Sequence, residues 1–185
     1  MNNQPDTWKR IESKEVANCR IFKVRQDTCV RLNDGAEHNF FVLENADWVN
    51  IIPITTNNEV VLIEQFRHGI EAMTLEIPGG MVDGDEDPQY AAERELIEET
   101  GYKPREVIFL GKSDANPATH NNRVYHYLAL DCEKVQEVAF DSTESIATSL
   151  VPLDEIPELL TSEKITHSLV VAAFCRYLLY NQETK

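Results

Sequence analysis

Apolar and polar residues alternate along Arg20-Ile21-Phe22-Lys23-Val24-Arg25 and Thr28-Cys29-Val30-Arg31-Leu32, the period-two mark of half-buried strands. A third strand-like run, Asn39-Phe40-Phe41-Val42-Leu43, follows the turn Asn33-Asp34-Gly35. Three strands alone make a marginal unit. Residues 1–47 are therefore expected to form a small antiparallel β-rich subdomain that packs on its own main domain or on a partner subunit. At Trp48 the pattern changes. Val49 to Ile54 and Glu59 to Gln65 are long apolar runs split by the turn Thr56-Asn57-Asn58, and they read as buried strands of a larger sheet. A loop then leads to Pro78-Gly79-Gly80, and a helix is predicted from about Pro88 to Thr100. Strands are predicted near Glu106–Leu110 and Val124–Leu130, and helices over 154–160 and 166–180. In the last of these, Leu169, Val170, Ala173, Phe174, Tyr177 and Leu178 recur at helical spacing and mark a core-facing stripe. Periodicity alone gives an α+β or α/β domain over residues 48–185.

Composition changes this picture little. At 185 residues, with 42% hydrophobic and 26% charged positions, the chain suits one domain with a small appendage. No apolar run is long enough to span a bilayer, and Met1–Glu15 lacks the apolar stretch of a secretory signal, so a cytoplasmic address is expected. The net charge of -15 argues against a face for duplex nucleic acid. Small anionic substrates stay open, because bound divalent cations invert local charge. None of the four cysteines lies in a C-x-x-C pair, so they read as free thiols.

The chemistry concentrates in the helix after Asp87, a natural N-cap followed by Pro88 at the first helical position. Gly101 fits the left-handed position past its end. Glu95 and Glu99 stand one turn apart, with Glu98 on the neighbouring stripe. Like charges at these spacings repel, so the arrangement makes sense around divalent cations. Carboxylate oxygens are hard ligands suited to Mg²⁺, with Mn²⁺ as a substitute, and Mg²⁺ commonly binds through a few carboxylates plus substrate phosphates.

Residues 80–102, GMVDGDEDPQYAAERELIEETGY, resemble the Nudix box, G-x5-E-x7-R-E-U-x-E-E-x-G-U. Gly80, Glu86, Arg94, Glu95, Leu96, Glu98, Glu99 and Gly101 match, and Tyr102 is a mild departure at the final aliphatic position. At ordinary residue frequencies the seven fixed letters would coincide about once in 10⁸ windows. The resemblance implies the family's α/β/α sandwich with a mixed sheet. It also implies roles: Glu95, Glu98 and Glu99 would hold the cations with the backbone carbonyl of Gly79, Glu86 and Arg94 would form a structural ion pair, and Gly80 and Gly101 would allow tight turns.

The flank EVVLIEQFRHGIEAMTLEIPGG, residues 59–80, resembles the segment before the box in ADP-ribose and nucleoside-diphosphate-sugar pyrophosphatases. By that resemblance Arg67 would contact substrate phosphates, Glu76 would contact substrate or metal-bound water, and the N-terminal subdomain would help form a homodimer. A late-loop glutamate often serves as base in this subclass; Glu144 is the matching residue, with Asp141 and Glu98 as alternatives, and Glu98 and Glu99 count among the catalytic carboxylates. Trp48, which could stack on a base or belong to the core, and His120 and Arg123, which could bind the sugar or a phosphate, complete the candidate substrate contacts. The stretch Asn116–Arg123 departs from the proline-glycine loop of ADP-ribose hydrolases. The expected reaction is Mg²⁺-dependent hydrolysis of a nucleoside diphosphate sugar such as ADP-ribose or GDP-mannose. Dinucleoside polyphosphates, NADH or a capped RNA end remain as alternative substrates, and non-catalytic nucleotide sensing or diphosphate isomerisation on a related fold as alternative functions.

Overall fold

The structure, a computed structural model, describes residues 5–138 and 145–183. Two compact units emerge, Met1–Ala46 with Asp114–Asn122, and Asp47–Ser113 with Arg123–Lys185.

In the first unit β1 (Trp8–Asn18), β2 (Phe22–Arg31) and β3 (Glu37–Asn45) form an antiparallel sheet in the order β1-β2-β3. The two runs read separately at 20–25 and 28–32 fall, apart from Arg20, Ile21 and Leu32, in the one strand β2, and β1 was not foreseen. The polar stretch Arg25-Gln26-Asp27 interrupts the alternation because Asp27 is a buried charge rather than a loop residue. It is 5% exposed and accepts from Ser13 Oγ at 2.6 Å and from Arg25 Nε at 2.9 Å, with Arg10 at 3.6 Å. Residues 114–122 continue this unit: Leu43 N–H donates to the Thr119 carbonyl at 2.8 Å, and Asn122 Nδ2 donates to Ala46 O at 3.0 Å.

The second unit holds β4 (Trp48–Thr55), β5 (Glu59–Arg67), β6 (Ala72–Glu76), β7 (Gly79–Met81), α1 (Pro88–Thr100), β8 (Tyr102–Lys103), β9 (Glu106–Asp114, whose last residue falls in the first unit), β10 (Arg123–Lys134), β11 (Ile146–Pro152), a 3-10 turn (Leu153–Glu155), α2 (Ile156–Thr161) and α3 (Ser168–Glu183). The main sheet runs β11-β5-β4-β10-β8, with β6 on β5, β7 on β4 and β9 on β10. β4 and β10 pair in parallel, whereas β5 runs antiparallel to β4, β6 and β11, so the sheet is mixed. Alternate residues of β4 serve opposite cores. Val49 and Ile51 pack with Ala91, Ala92 and Leu96 of α1, whereas Ile52 and Ile54 pack with Ile156, Val170, Ala173 and Phe174 of α2 and α3. Burial on both faces is why β4 reads as an unbroken apolar run. The result is a helix–sheet–helix sandwich. β6 and β7 lie where the sequence suggested loop, and β11 lies where it assigned no element. The stripe on α3 is also narrower than its spacing implied: Val170, Ala173 and Phe174 are buried, but Leu178 is 47% exposed.

A buried polar chain crosses the second core. His126, fully buried on β10, has Nε2 2.8 Å from Ser113 Oγ and Nδ1 2.7 Å from Asn50 Oδ1, and Asn50 Nδ2 donates to Leu169 O at 3.1 Å. With an amide oxygen on Nδ1, that nitrogen carries the proton and Nε2 accepts from the serine hydroxyl. Burial, reinforced by the Arg176 charge, pushes His126 down to about 4. An unfolded histidine protonates near pH 6.5, so unfolding takes up a proton between pH 6.5 and 4, and stability falls as pH falls through that window. The contribution is on the order of 3 kcal/mol. His126→Gln is expected to be less stable than the parent at pH 7 but to show a flatter pH dependence, measured by urea denaturation at pH 7 and pH 5.

Candidate active site

The elements that carry the site are closely fixed. Asp87 caps α1 by accepting from Gln89 N–H at 2.9 Å and Tyr90 N–H at 3.3 Å, and Pro88 follows at the first turn. Ala91, Ala92, Leu96 and Thr100 anchor the helix in the core. Gly101 ends it at φ 74°, its N–H returning to Ile97 O, and a Cβ there would lie 2.1 Å from Gln136 O. Opposite the helix, β7 pairs with β4 through Trp48↔Met81, Val49↔Gly80 and Asn50↔Gly79. A side chain on Gly79 would strike Val49 O at 2.3 Å.

On this frame Glu95, Glu98 and Glu99 occupy the later turns of α1, where the helix dipole is negative and acids are disfavoured. Glu99 Oε2 accepts from Gly79 N–H at 3.0 Å. Glu95 lies against the bare Cα of Gly80, so closely that a Cβ would meet its Oε1 at 2.2 Å. Arg94 gathers the remaining charges. Its Nε and Nη2 fork onto Glu86 at 2.9 and 3.1 Å, Nη2 also donates to Met81 O at 3.2 Å, and Nη1 lies 3.0 Å from both Glu95 and Glu98. The fork lowers the Glu86 carboxyl, while burial, offset in part by Arg94, raises that of Glu95. Enclosure acts most strongly on Glu99. Burial outweighs the Gly79 hydrogen bond and, with the Glu95 charge, pushes its carboxyl up to about 8.

A second cluster adjoins the first. Glu76, 2% exposed, takes Arg67 Nε on Oε1 at 2.7 Å and Arg67 Nη2 on Oε2 at 2.6 Å. Thr74 Oγ1 donates to Oε1 at 2.5 Å, and His167 Nδ1 lies 2.9 Å from Oε2. Burial would raise this carboxyl, but the donors from Arg67, His167 and Thr74 hold it down at about 2. The Arg67 charge also acts on Glu99, which joins the two clusters electrostatically.

The geometry thus brings together Arg67, Glu76, Gly79, Gly80, Glu86, Arg94, Glu95, Glu98 and Glu99. Trp48 stands partly buried at the start of β4. Arg123 opens β10, exposed, with its N–H on Asp47 Oδ1 at 2.8 Å. His120 belongs to the first unit, its N–H on Asn116 O at 2.7 Å. Glu144 and Asp141 lie outside the described residues. His167 escaped the sequence reading, because its partner is 91 residues away and no motif letter marks it.

The donor set suits a hard divalent cation. It offers carboxylate oxygens, one of them enclosed and held by a backbone N–H, beside a glycine whose missing side chain leaves room. Among the described residues, however, no three acidic, His or Cys side chains are gathered into a ready-made cage, and Arg94 spans Glu95 and Glu98. Without a cation, enclosing Glu99 destabilises the fold as pH rises. The unfolded carboxyl ionises near 4.5 and the folded one near 8, so stability is lost between those values, by on the order of 3 kcal/mol after allowing for solvent. In EDTA, Glu99→Gln is expected to be more stable than the parent at pH 8 and no more stable at pH 4.5, as read by thermal denaturation.

Comparison with known proteins agrees with this fold. The family model described as NUDIX domain matches residues 45–174. The methanol dehydrogenase activator of Bacillus methanolicus is 29% identical over 96% of this chain and 95% of its own. The ADP-ribose pyrophosphatase of Bacillus subtilis is 26% identical over 85% and 88%. A crystal structure of an ADP compounds hydrolase superposes with a TM-score of 0.84 at 23% identity, covering 98% of this chain and 96% of that one, which establishes the shared fold. With the family matched across most of its length and the acid-bearing helix in place against its glycine strand, this chain belongs to the Nudix hydrolases.

Proposed function

We propose that this enzyme hydrolyses the diphosphate bridge of a nucleoside diphosphate sugar, ADP-ribose foremost, to a nucleoside monophosphate and a sugar phosphate. The observation that carries the reading is the enclosed, acid-rich end of α1, with Glu99 on Gly79 N–H and Glu95 against Gly80. Relatives named ADP-ribose pyrophosphatase in Bacillus subtilis and Mycobacterium tuberculosis support an ADP-linked substrate. Glu95, Glu98, Glu99 and the Gly79 carbonyl would hold Mg²⁺, or Mn²⁺ in its place, which when bound neutralises diphosphate charge and acidifies water.

The protein's own groups do the rest. Arg67 uses Nε and Nη2 on Glu76, which leaves its outer edge for a phosphate oxygen. A carboxylate takes the proton of the attacking water as the bridging P–O bond breaks; Glu144 is our nominee, with Asp141 and Glu98 as competitors. Trp48 and Arg123 are proposed contacts to base and sugar.

Support for a homodimer comes from the first unit, whose small sheet leaves Trp8, Ile11, Val16, Phe40 and Phe41 exposed. Sedimentation at twice the 21.1 kDa chain mass is the expected result. A second reading rests on the relative from Bacillus methanolicus, which aligns along nearly its whole length. If this chain shares that role, adding it to a methanol dehydrogenase raises the dehydrogenase rate.

With ADP-ribose and Mg²⁺, chromatography should show AMP and ribose 5-phosphate in equal amounts. Glu99→Gln is expected to lower kcat by on the order of 10²-fold or more while circular dichroism stays unchanged, because a proposed ligand is lost without core volume. Parental kcat in that variant at saturating Mg²⁺ would overturn the assignment. Glu144→Gln, Asp141→Asn and Glu98→Gln, compared over pH, identify the base as the one whose loss removes the acidic limb of the profile. If a panel including GDP-mannose, NADH and dinucleoside polyphosphates yields a faster substrate, the ADP-ribose assignment gives way to it.

A further inference from the structure

Glu76 is the most heavily coordinated carboxylate among the described residues, and the reaction as drawn gives it no direct step. Its two oxygens are shared among four contacts from three elements: Arg67 at the end of β5, Thr74 within β6 and His167 ahead of α3. β5 and β6 already pair with each other, Arg67 opposite Ala72 and Ile63 opposite Glu76. Arg67 and Thr74 therefore fix Glu76 only from its own hairpin. His167 is the one contact of the four that comes from outside it.

That contact is well founded. The His167 carbonyl accepts Val171 N–H at 3.0 Å, which places the residue at the first turn of α3. The same turn is tied to the sheet a second time, by Asn50 Nδ2 on Leu169 O at 3.1 Å, and Val170 is buried beside it. The imidazole is thus delivered by a helix end with little freedom. Because the Glu76 carboxylate is ionised, the ring nitrogen facing it, Nδ1, bears a hydrogen and donates. The chain of contacts then runs from the helix through His167 to Glu76, and through the Arg67 fork to a guanidinium whose outer edge is available and whose side chain is 43% exposed. A forked guanidinium has one in-plane orientation relative to its carboxylate. Fixing the plane of Glu76 therefore fixes where the outer edge of Arg67 points.

We propose that His167 is a positioning residue for substrate binding: it sets the plane of Glu76 and, through it, aims Arg67 at the diphosphate. This rests on the reading of Arg67 as a phosphate contact. His167 touches no reacting atom, so its removal affects how tightly substrate is held more than how fast it is cleaved.

Steady-state kinetics with ADP-ribose and Mg²⁺ tests this. His167→Ala is expected to raise KM about fivefold to tenfold with kcat within twofold, and His167→Asn, whose side-chain amide can stand in for Nδ1–H, to restore most of the loss. Arg67→Ala and Glu76→Gln should each raise KM, and adding His167→Ala to either should change it less than twofold further, since all three act through one chain. A purely structural role would instead lower the melting temperature and kcat together and leave KM unchanged. That outcome overturns the proposal, as does full additivity of His167→Ala with Glu76→Gln. Failure of the parent enzyme to form product from any nucleoside diphosphate compound defeats the functional reading itself. An active parent whose Arg67→Ala variant keeps its KM removes the phosphate contact, and the proposal with it. An active parent sensitive to Arg67→Ala but indifferent to His167→Ala defeats this inference alone.

Discussion

Carboxyl groups held out of water are the constraint around which the second unit is arranged. Glu99 is pressed toward the backbone of Gly79, and Glu95 toward Gly80, at the end of a helix whose dipole opposes both. Such an arrangement persists only where the surroundings are stiff. The stiffness has visible sources: a helix capped at both ends and seated by two alanines and a leucine, and a three-residue strand locked in register with the central strand β4. Neither glycine can be exchanged for a larger residue without moving a neighbour, one blocked by backbone and the other by a carboxylate.

The two arginines of the site answer the same charge in different ways. Arg94 is shared among three glutamates of its own helix and the loop before it and the Met81 carbonyl at the end of β7. Arg67 is committed to one buried glutamate, which in turn is held from a different layer of the fold. The first spreads its charge over a cluster. The second has its direction set and keeps an edge in reserve.

What could be read from the sequence was what is encoded locally. The helix ends were legible because Asp87, Pro88 and Gly101 act through their own backbones, and the acids because helical spacing alone stacks them. β4 and β5 were legible because both their faces are buried. Strand β1 was not, for two reasons: every residue in it is exposed, and irregularities at Arg10/Glu12 and Glu15/Ala17 reset the phase of any alternation. β11 is similarly open to solvent and is a strand by virtue of its register on β5. Leu178 follows the packed Tyr177 by about 100° of helix rotation, which is enough to turn it outward. His167, and Asp27 through Ser13 and Arg10, represent the remaining class, polar residues whose significance comes from partners distant in the chain.

The placement of Arg94 also bears on how the acidic end of α1 is tolerated in the fold. With a guanidinium lying between Glu95 and Glu98, the repulsion between these two acids is relieved from within the chain itself. A cation approaching this pair would meet an incumbent tethered to the same helix, so its binding there would exchange one positive charge for another, at an affinity below what bare carboxylates would give.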